Sequence, residues 1–548
     1  MKGVQKMFKR FNVLLCFLVI ALLFSGCGGK VTVRQGESSE VTPNGTFPVV
    51  KTPRTIKIFA AQTATIEDLT TNEFTKEYEQ RTGVKVEWEI AMQNAVQEKR
   101  QLSLASGDYP DIYMGANITR EEEITYGSKG VFLPLNDLVD TYSVWIKQAF
   151  EEIPLARELL TTPDGKIYSL PNMSDAIHTK YPYKLWMNKE WLDELGLDAP
   201  ETTDDFYNAL KAFKEGDPNK NNSKDEIPFF ASNNNVSGFI NFFINSFIQC
   251  NNKGFFVDDN DKLDAAFIKP EWKEGLKYLK KLTDEGLIDE VSYAATNDQV
   301  KQIAESPVGE ILGSTMMLAP STVFNMGGER HKKFNPVAPL MGPGGQRNSI
   351  YLMESGIMNG CFVVTKQMKD PEVAIRWTDW FYSLEGSLTT RIGLEGVNWR
   401  KAEPEEKSYT GDPATWAKMT MIGGAQNITW AQWNIGQYAK HTAQVGDTNI
   451  YSPSGLEARL YDATVNYYEP FTPEKSIPPF YIPQEDLKAV LQKINDIGNY
   501  VNESSVRFIT GDLSLENDWA SYVDNLNKMG VSDVLTVYQT AYDARKTH

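Results

Sequence analysis

Cysteine and histidine are scarce in this chain of 548 residues. It has four cysteines and no CxxC pair, so neither a zinc finger nor a dithiol redox motif is predicted. Cys250 and Cys361, which follow the N-terminal region, form either one long-range disulfide or two buried thiols. The HExxH, GxSxG, Walker and strand-linked GxGxxG motifs are missing. No two of the four histidines lie near each other in sequence: His178, His331, His441 and His548.

The chain also lacks an excess of positive charge and a second long apolar run. Its net charge is -17, which argues against binding nucleic acid or an anionic membrane through bulk charge. After residue 27 no apolar run is long enough to span a bilayer. With 41% hydrophobic and 11% aromatic residues, the remainder is long enough for two or more domains with full cores.

Residues 1–26 have the pattern of a secretion signal. Four basic residues precede an apolar segment that ends in LLFSGC at Cys27. The small pair before this cysteine resembles the lipobox of bacterial lipoproteins, although Phe24 stands where Leu is usual. The resemblance implies that Cys27 is lipidated and anchors the mature chain outside the membrane; the alternative is an ordinary signal peptide with a chance cysteine. Residues 27–53 are rich in Gly, Ser, Thr and Pro and predict a flexible tether.

From Thr55 onward, strand and helix patterns alternate. TIKIFA, KVEWEI and DIYMG predict strands, and the segments between them predict helices that end at Gly83 and Gly107. The helix in PETTDDFYNALKAF has Thr or Asp available as its N-cap. This βαβαβ order predicts an α/β fold in which helices flank parallel or mixed sheets. Two α/β lobes are the simplest arrangement for the whole length.

A succession of motifs resembles the extracellular solute-binding proteins of bacterial ABC importers, in particular the larger, oligosaccharide-binding group. The motifs are EFTKEYEQRTGVKVEWEI, LASGDYPDIYMG, GVFLPLNDLVD, DGKIYSLP, LWMNKEWLDELGLDAPETTDDFYNALKAF and GCFVVTKQMKDPEVAIRWTDWF. The resemblance implies the two-lobed periplasmic-binding-protein fold, in which each lobe is a mixed sheet flanked by helices and the ligand cleft lies at the hinge. Lobe 1 is then residues 54–170 plus about 355–400, and lobe 2 is residues 171–354 plus about 401–548. The crossings are expected at Lys166–Pro171, at Tyr351–Gly360 and after Trp399.

Oxygen-bearing side chains alternate in GDPNKNNSKDEIP, as in the loop of a calcium site. Asn222 and Pro228 stand where an EF-hand has Gly and Glu, so Glu226 has to replace the final carboxylate, as in a similar loop of the alginate-binding members of the group. We expect calcium here in a structural role; the alternative is an Asx-rich turn. The predicted ligands are Asp217, Asn219, Asn221, Ser223, Asp225 and Glu226.

Sugar clefts combine aromatic platforms with fixed polar partners. The aromatic candidates lie in KYPYKLW, GVNWR and ITWAQWN: Tyr181, Tyr183, Trp186, Trp399, Trp430 and Trp433. Asn233 lies in the polar segment SNNNVSGF. Resemblance to the maltose-binding protein adds the loops near Gln62 and Asn117. The alternative for each tryptophan is a place in the core.

The sequence therefore predicts a lipid-anchored receptor on the extracytoplasmic face of the cell membrane. It captures an oligosaccharide by hinge closure and delivers it to an ABC permease with a separate ATPase. It is expected to act as a monomer, to perform no covalent chemistry, and to bind no nucleic acid. The alternatives are a receptor for a non-sugar solute such as a peptide, and a secreted enzyme that uses two carboxylates to act on glycans.

Overall fold

The computed structural model describes residues 40–232, 236–420, 424–432, 434–452, 454–482 and 484–546. The predicted signal, Cys27, Asn233 and Trp433 lie outside the described residues. From Val41 onward the chain forms one compact unit. Within the part described, no helix is both long enough and apolar enough to cross a membrane.

The strands, numbered in chain order, form one six-stranded sheet and several smaller ones. They are β1 (Arg54–Gln62), β2 (Val84–Met92), β3 (Ile112–Met114), β4 (Leu170–Ser174), β5 (Leu185–Asn188), β6 (Phe255–Val257), β7 (Leu263–Ala265), β8 (Ser314–Met316), β9 (Phe334–Val337), β10 (Ile357–Val364), β11 (Trp399–Lys401), β12 (Trp416–Lys418) and β13 (Gln437–Ala439).

The helices cover both faces of the large sheet and build most of the second half of the chain. They are α1 (Glu73–Thr82), α2 (Val96–Ser106), α3 (Arg120–Ser128), α4 (Asn136–Tyr142), α5 (Trp145–Glu152), α6 (Pro154–Leu160), α7 (Lys189–Leu195), α8 (Thr203–Gly216), α9 (Val236–Ile244), α10 (Pro270–Asp284), α11 (Asn297–Ala304), α12 (Pro371–Asp379), α13 (Leu384–Arg391), α14 (Leu456–Tyr467), α15 (Gln484–Thr510), α16 (Trp519–Met529) and α17 (Val531–Lys546).

The six-stranded sheet has the order β13-β4-β10-β3-β1-β2. β1 runs parallel to β2 and β3, whereas β10 runs antiparallel to β3 and β4. Alternate residues of β1 enter different cores, because successive side chains of a strand point to opposite faces. Ile58 belongs to one cluster and Phe59 to the other. The sheet is therefore buried on both faces, as the α/β pattern predicts.

Predicted helix ends agree with the structure. Gly83 and Gly107 end α1 and α2 in the left-handed conformation, with φ of 72° and 81°, which glycine adopts without steric cost. Thr202 caps α8 in a reciprocal capping box with Asp205. The prediction of an α/β fold with helices on a mixed sheet is confirmed.

A second core forms around the antiparallel sheet β8-β5-β9 and the helices of the C-terminal region. Its apolar residues come from α7 to α10 and from α15 to α17. Cys250 lies in this core and Cys361 in β10; both are free and buried, so the alternative of two buried thiols holds.

Residues 426–432 and 434–439 differ from the predicted division of the chain, which assigns them to lobe 2. β13 pairs with β4 in parallel, and Trp430 packs in the core beneath the six-stranded sheet. This segment therefore belongs to the first sheet, because β13 completes its edge. The remaining lobe boundaries stay predictions.

Candidate ligand cavity at the crossing strands

A cavity of 1090 Å³ lies where the chain passes between the two sheets. β4 leads from the first sheet towards β5, and β10 returns to it; at this end Ser174 N donates to Gly356 O at 2.8 Å. The cavity thus lies beyond the carboxyl end of β4, the edge at which α/β sheets commonly bind ligands.

Side chains from both cores line this hinge cavity. Arg120 and Glu121 come from the start of α3, and Asn172 and Ser174 from β4. The remainder of the wall is contributed by residues 351–359, 251–255 and 477–482, by α15, and by single residues of other segments.

The lining combines amides, aromatic rings and few charges. Its amides are Asn172, Asn251, Asn252, Asn359 and Asn495, and its aromatic residues are Phe255, Tyr351, Phe480 and Tyr538. Its charged residues are Arg120, Lys253, Glu121, Glu354 and Glu457. Rings that stack on C–H faces, together with fixed hydrogen-bonding groups, suit a sugar.

A buried polar cluster forms one part of the wall. Glu457, in α14, has Oε2 3.8 Å from His178 Nδ1 and 3.6 Å from His441 Nδ1. Burial, with the charges of Lys184 and Arg391, lowers the pKa of His178 to about 3. Burial and the charge of Arg391 lower the pKa of His441 well below its usual range. The two imidazoles are therefore neutral at physiological pH.

Burial raises the pKa of Glu457, while the charges of Arg391 and Lys418 act in the opposite direction. Arg391 Nη1 contacts His441 Nε2 on the other side of the imidazole. The backbone of this turn is fixed by Asp175, whose Oδ1 accepts from His441 N at 2.7 Å and from Thr442 N at 3.2 Å. Sequence reasoning missed this cluster, because Asp175 and His178 lie more than 200 residues before its other members.

Two of the predicted aromatic residues lie directly behind the cavity wall. The Tyr181 ring is 5.2 Å from the ring of Tyr351, which lines the cavity. Tyr183 is half-buried, and the side chain of Asn252, another lining residue, lies close enough to lower its pKa against the effect of burial. Both tyrosines therefore support residues that line the cavity.

Three predicted tryptophans lie in the core, which corrects their assignment to the ligand site. The indole N–H of Trp186 donates to Met317 O at 3.1 Å, that of Trp399 to Gly393 O at 2.9 Å, and that of Trp430 to Thr75 Oγ1 at 2.8 Å. All three side chains are less than 2% exposed. Their rings and N–H groups are occupied by the protein itself.

Gln62 is the last residue of β1, Asn117 follows β3, and neither lines the hinge cavity. The Gln62 side chain hydrogen-bonds to the backbone of the loop that follows it: Nε2 donates to Ile66 O at 3.3 Å, and Oε1 accepts from Leu69 N at 3.1 Å. Asn117 is exposed, with φ of 54°. Gln62 thus has a structural role, whereas Asn117 stays a candidate ligand residue.

The loop after α8 winds around its own acidic side chains. Asp217 Oδ1 accepts from Asn221 N at 3.0 Å and Oδ2 from Asn222 N at 3.1 Å. Asn222 has φ of 59°, so it supplies the left-handed turn for which an EF-hand uses glycine. The Asn221 amide lies 3.0 Å from Asp225 Oδ1, which brings these side chains to one centre.

Glu226 provides a test of whether the loop suits a cation. Its Oε1 is buried and has no hydrogen-bond partner among the described residues. Burial raises its pKa, and the charges of Asp225 and Asp217 raise it further. A divalent cation would offset this repulsion, and oxygen donors are those that calcium prefers. In the described part of the chain no three His, Cys, Asp or Glu side chains converge as a metal site, so any site here also needs amide or carbonyl oxygens.

Comparison with known proteins gives one family match. The model described as bacterial extracellular solute-binding protein matches residues 63–387. The fructooligosaccharide ABC transporter substrate-binding protein FusA of Streptococcus pneumoniae is 28% identical over 98% of both chains. In Bacillus subtilis, the polygalacturonan/rhamnogalacturonan-binding protein YtcQ is 25% identical over 73% of this chain and 76% of its own. The lipoprotein LipO of the same organism is 26% identical over 69% and 72%.

Solved structures share the fold over almost the whole chain. FusA in complex with kestose has a TM-score of 0.73 at 25% identity, covering 90% of this chain and 99% of that one. A FusA EF-hand mutant in complex with fructo-nystose has a TM-score of 0.72 at 26% identity and the same coverage. A solute-binding protein of Bifidobacterium longum subsp. infantis has a TM-score of 0.76 at 22% identity, covering 90% and 98%. The two-lobed solute-binding fold is therefore confirmed.

Proposed function

This chain belongs to the bacterial extracellular solute-binding proteins, and from that premise we propose that it captures an oligosaccharide outside the cell for an ABC importer. The proposal rests on the hinge cavity, because residues from both cores line it at the crossing strands and its wall places amides beside aromatic rings. The whole-length similarity to a fructooligosaccharide-binding protein supports the same ligand class over a peptide.

Capture works through the hinge. A sugar that contacts the lining residues of both cores stabilises the closed arrangement, and the equilibrium shifts by the difference in affinity between the two states. The closed surface is what the permease, coupled to a separate ATPase, distinguishes. The protein performs this cycle as a monomer, because closing and docking both need free lobe surfaces.

The deciding measurement is calorimetric titration of the full chain, extracted in mild detergent, with a panel of oligosaccharides and peptides. We expect an oligosaccharide to bind with a dissociation constant of about 1 µM, roughly 8 kcal/mol, and to be recovered intact. Cleavage of the glycan would favour the enzyme alternative. Binding of peptides alone would favour a receptor for another solute.

The membrane attachment is the second part of the proposal. Cys27 follows the lipobox-like FSG, and a relative over 69% of this chain is described as a lipoprotein. We expect metabolic labelling with a fatty acid to modify the full chain and to fail with Cys27→Ala. Labelling of that variant would show that the lipid is attached to another residue. Secretion of an unlabelled native chain would favour the alternative of an ordinary signal peptide.

The loop 217–226 is the third part, as a structural calcium site. The orphaned Glu226 oxygen, the inward-facing Asp217 and the left-handed Asn222 support it. Calcium added to chelator-treated protein should raise the melting temperature, since a ligand that binds only the folded state stabilises it. Asp225→Asn should abolish the rise, whereas Asp524→Asn, on an exposed carboxylate of α16, should preserve it. If calcium does not raise the melting temperature of the native chain, the alternative of an Asx-rich turn without calcium is favoured.

A further inference from the structure

Glu457 is a carboxylate in the hinge-cavity wall with unused accepting capacity. Its side chain is 19% exposed, and its Oε2 has no hydrogen-bond partner among the described residues. His178 Nδ1 and His441 Nδ1, at 3.8 and 3.6 Å, lie beyond hydrogen-bonding distance. A buried acceptor in this state is costly unless a ligand or ordered water reaches it.

The tautomer of His441 follows from its other neighbour. A guanidinium only donates, so the contact of Arg391 Nη1 makes Nε2 of His441 the accepting nitrogen. A neutral imidazole must then carry its hydrogen on Nδ1, the atom that faces Glu457. His441 therefore presents a donor beside the carboxylate acceptor. A sugar hydroxyl both donates and accepts, so it matches such a pair.

The remaining charges of the wall do not create a positive site. Glu121 and Glu354 offset Arg120 and Lys253, and burial keeps both imidazoles neutral. Burial raises the pKa of Glu457, whereas the charges of Arg391 and Lys418 oppose that rise and favour its ionised form. A ligand carboxylate placed here meets another carboxylate in a poorly solvated wall, where like charges repel strongly.

We propose that Glu457, flanked by His178 and His441, is the polar subsite that accepts hydroxyl hydrogen bonds from a neutral sugar residue and rejects uronic acids. This inference rests on the proposed function and narrows its ligand class to neutral oligosaccharides. Hydrogen bonds to a carboxylate are stronger than those between neutral groups, so this subsite discriminates more sharply than the surrounding amides.

The test compares a neutral and an acidic ligand on the same protein. The full chain in mild detergent is titrated with neutral oligosaccharides, kestose included, and with trigalacturonate. We expect a neutral member to bind about 100-fold more tightly than trigalacturonate. Glu457→Gln should weaken neutral binding about 10-fold or more, because a charge-assisted acceptor becomes a neutral one. It should also reduce the preference over trigalacturonate, because the repelling charge is gone.

Glu503→Gln is the matched control, since this α15 carboxylate is 70% exposed and should leave every affinity unchanged. Melting temperatures check that Glu457→Gln folds, and the preference of the native chain is informative even without that variant. Trigalacturonate binding as tightly as the best neutral sugar, or unchanged neutral affinity in folded Glu457→Gln, would overturn the inference while leaving the proposed function intact. Binding of no sugar would overturn both.

Discussion

Glu123 links α3 to the crossing strands through hydrogen bonds, and its protonation should make the stability of the fold depend on pH. Glu123 Oε1 accepts a hydrogen bond from the hydroxyl of Ser169, and Ser169 Oγ accepts from Gly360 N at 3.0 Å. Burial raises the pKa of Glu123 to about 7, although the Ser169 hydrogen bond and Arg120 act in the opposite direction. One buried carboxyl thus links a helix of the first core to the residue before β4 and to β10.

The sign follows from the direction of this shift. The folded protein binds the Glu123 proton more tightly than the unfolded chain, in which the pKa is about 4.5. The stabilising contribution is therefore complete below pH about 4.5 and is lost as the pH rises through about 7. A gap of about 2.5 pH units corresponds to about 3 kcal/mol in the free energy of unfolding.

Urea unfolding of the native chain and of Glu123→Gln, at pH 4.5 and pH 8, tests this reasoning. Glutamine stays neutral and keeps an acceptor for Ser169. The stability of the variant relative to the native chain should therefore increase by about 3 kcal/mol between the two pH values. Glu77→Gln, on the exposed side of α1, controls for general charge effects. If native and Glu123→Gln stabilities change in parallel with pH, Glu123 is not the titrating group.

Three further substitutions probe the fold. Gly360→Ala should lower the free energy of unfolding in urea by about 3 kcal/mol or more. The reason is that φ is 68° and the new Cβ would lie 1.9 Å from Ile118 O. Near-native stability would show that β10 can shift to make room. Trp430→Phe should lower the free energy of unfolding by about 2 kcal/mol, because it leaves a cavity and removes the hydrogen bond to Thr75, and sugar affinity should stay unchanged. Weaker sugar binding at unchanged stability would show that Trp430 belongs to the ligand site. Asp379→Ala should lower the free energy of unfolding by about 3 kcal/mol and lower the melting temperature. The carboxylate accepts hydrogen bonds from three backbone N–H groups at the start of α5, at 2.8 to 3.0 Å. An unchanged melting temperature would contradict this capping role.

Local patterns predicted the first sheet well. The strands around Ile58, Val86 and Ile112 appear where apolar patterning placed them, and the intervening helices end at the predicted glycines. Such features depend on neighbours within a few residues. β13 was not predicted, because its partner β4 lies more than 250 residues earlier and its three residues carry no periodicity of their own.

Trp430 shows why aromatic residues misled the site prediction. The polar neighbours in ITWAQWN favoured a place in the ligand site, yet Thr429 and Gln432 are 1% and 0% exposed. Polar side chains can be buried when the backbone supplies their partners. Gln432 Oε1 accepts from Thr63 N at 3.1 Å, and Asn434 Nδ2 donates to Gly115 O at 3.3 Å. Polarity there marks a segment that is hydrogen-bonded into the first sheet rather than exposed to ligand.

The Glu457 cluster was missed for the opposite reason. Sequence distance separated His178 from His441, and nothing in either segment marks a binding group. The crossing strands bring them together: His178 follows β4, and His441 follows β13, the strand that pairs with β4. Two histidines that follow paired parallel strands must emerge at the same edge of the sheet. The missing step was therefore the pairing of β4 with β13, and once that pairing is known both imidazoles are expected at the hinge.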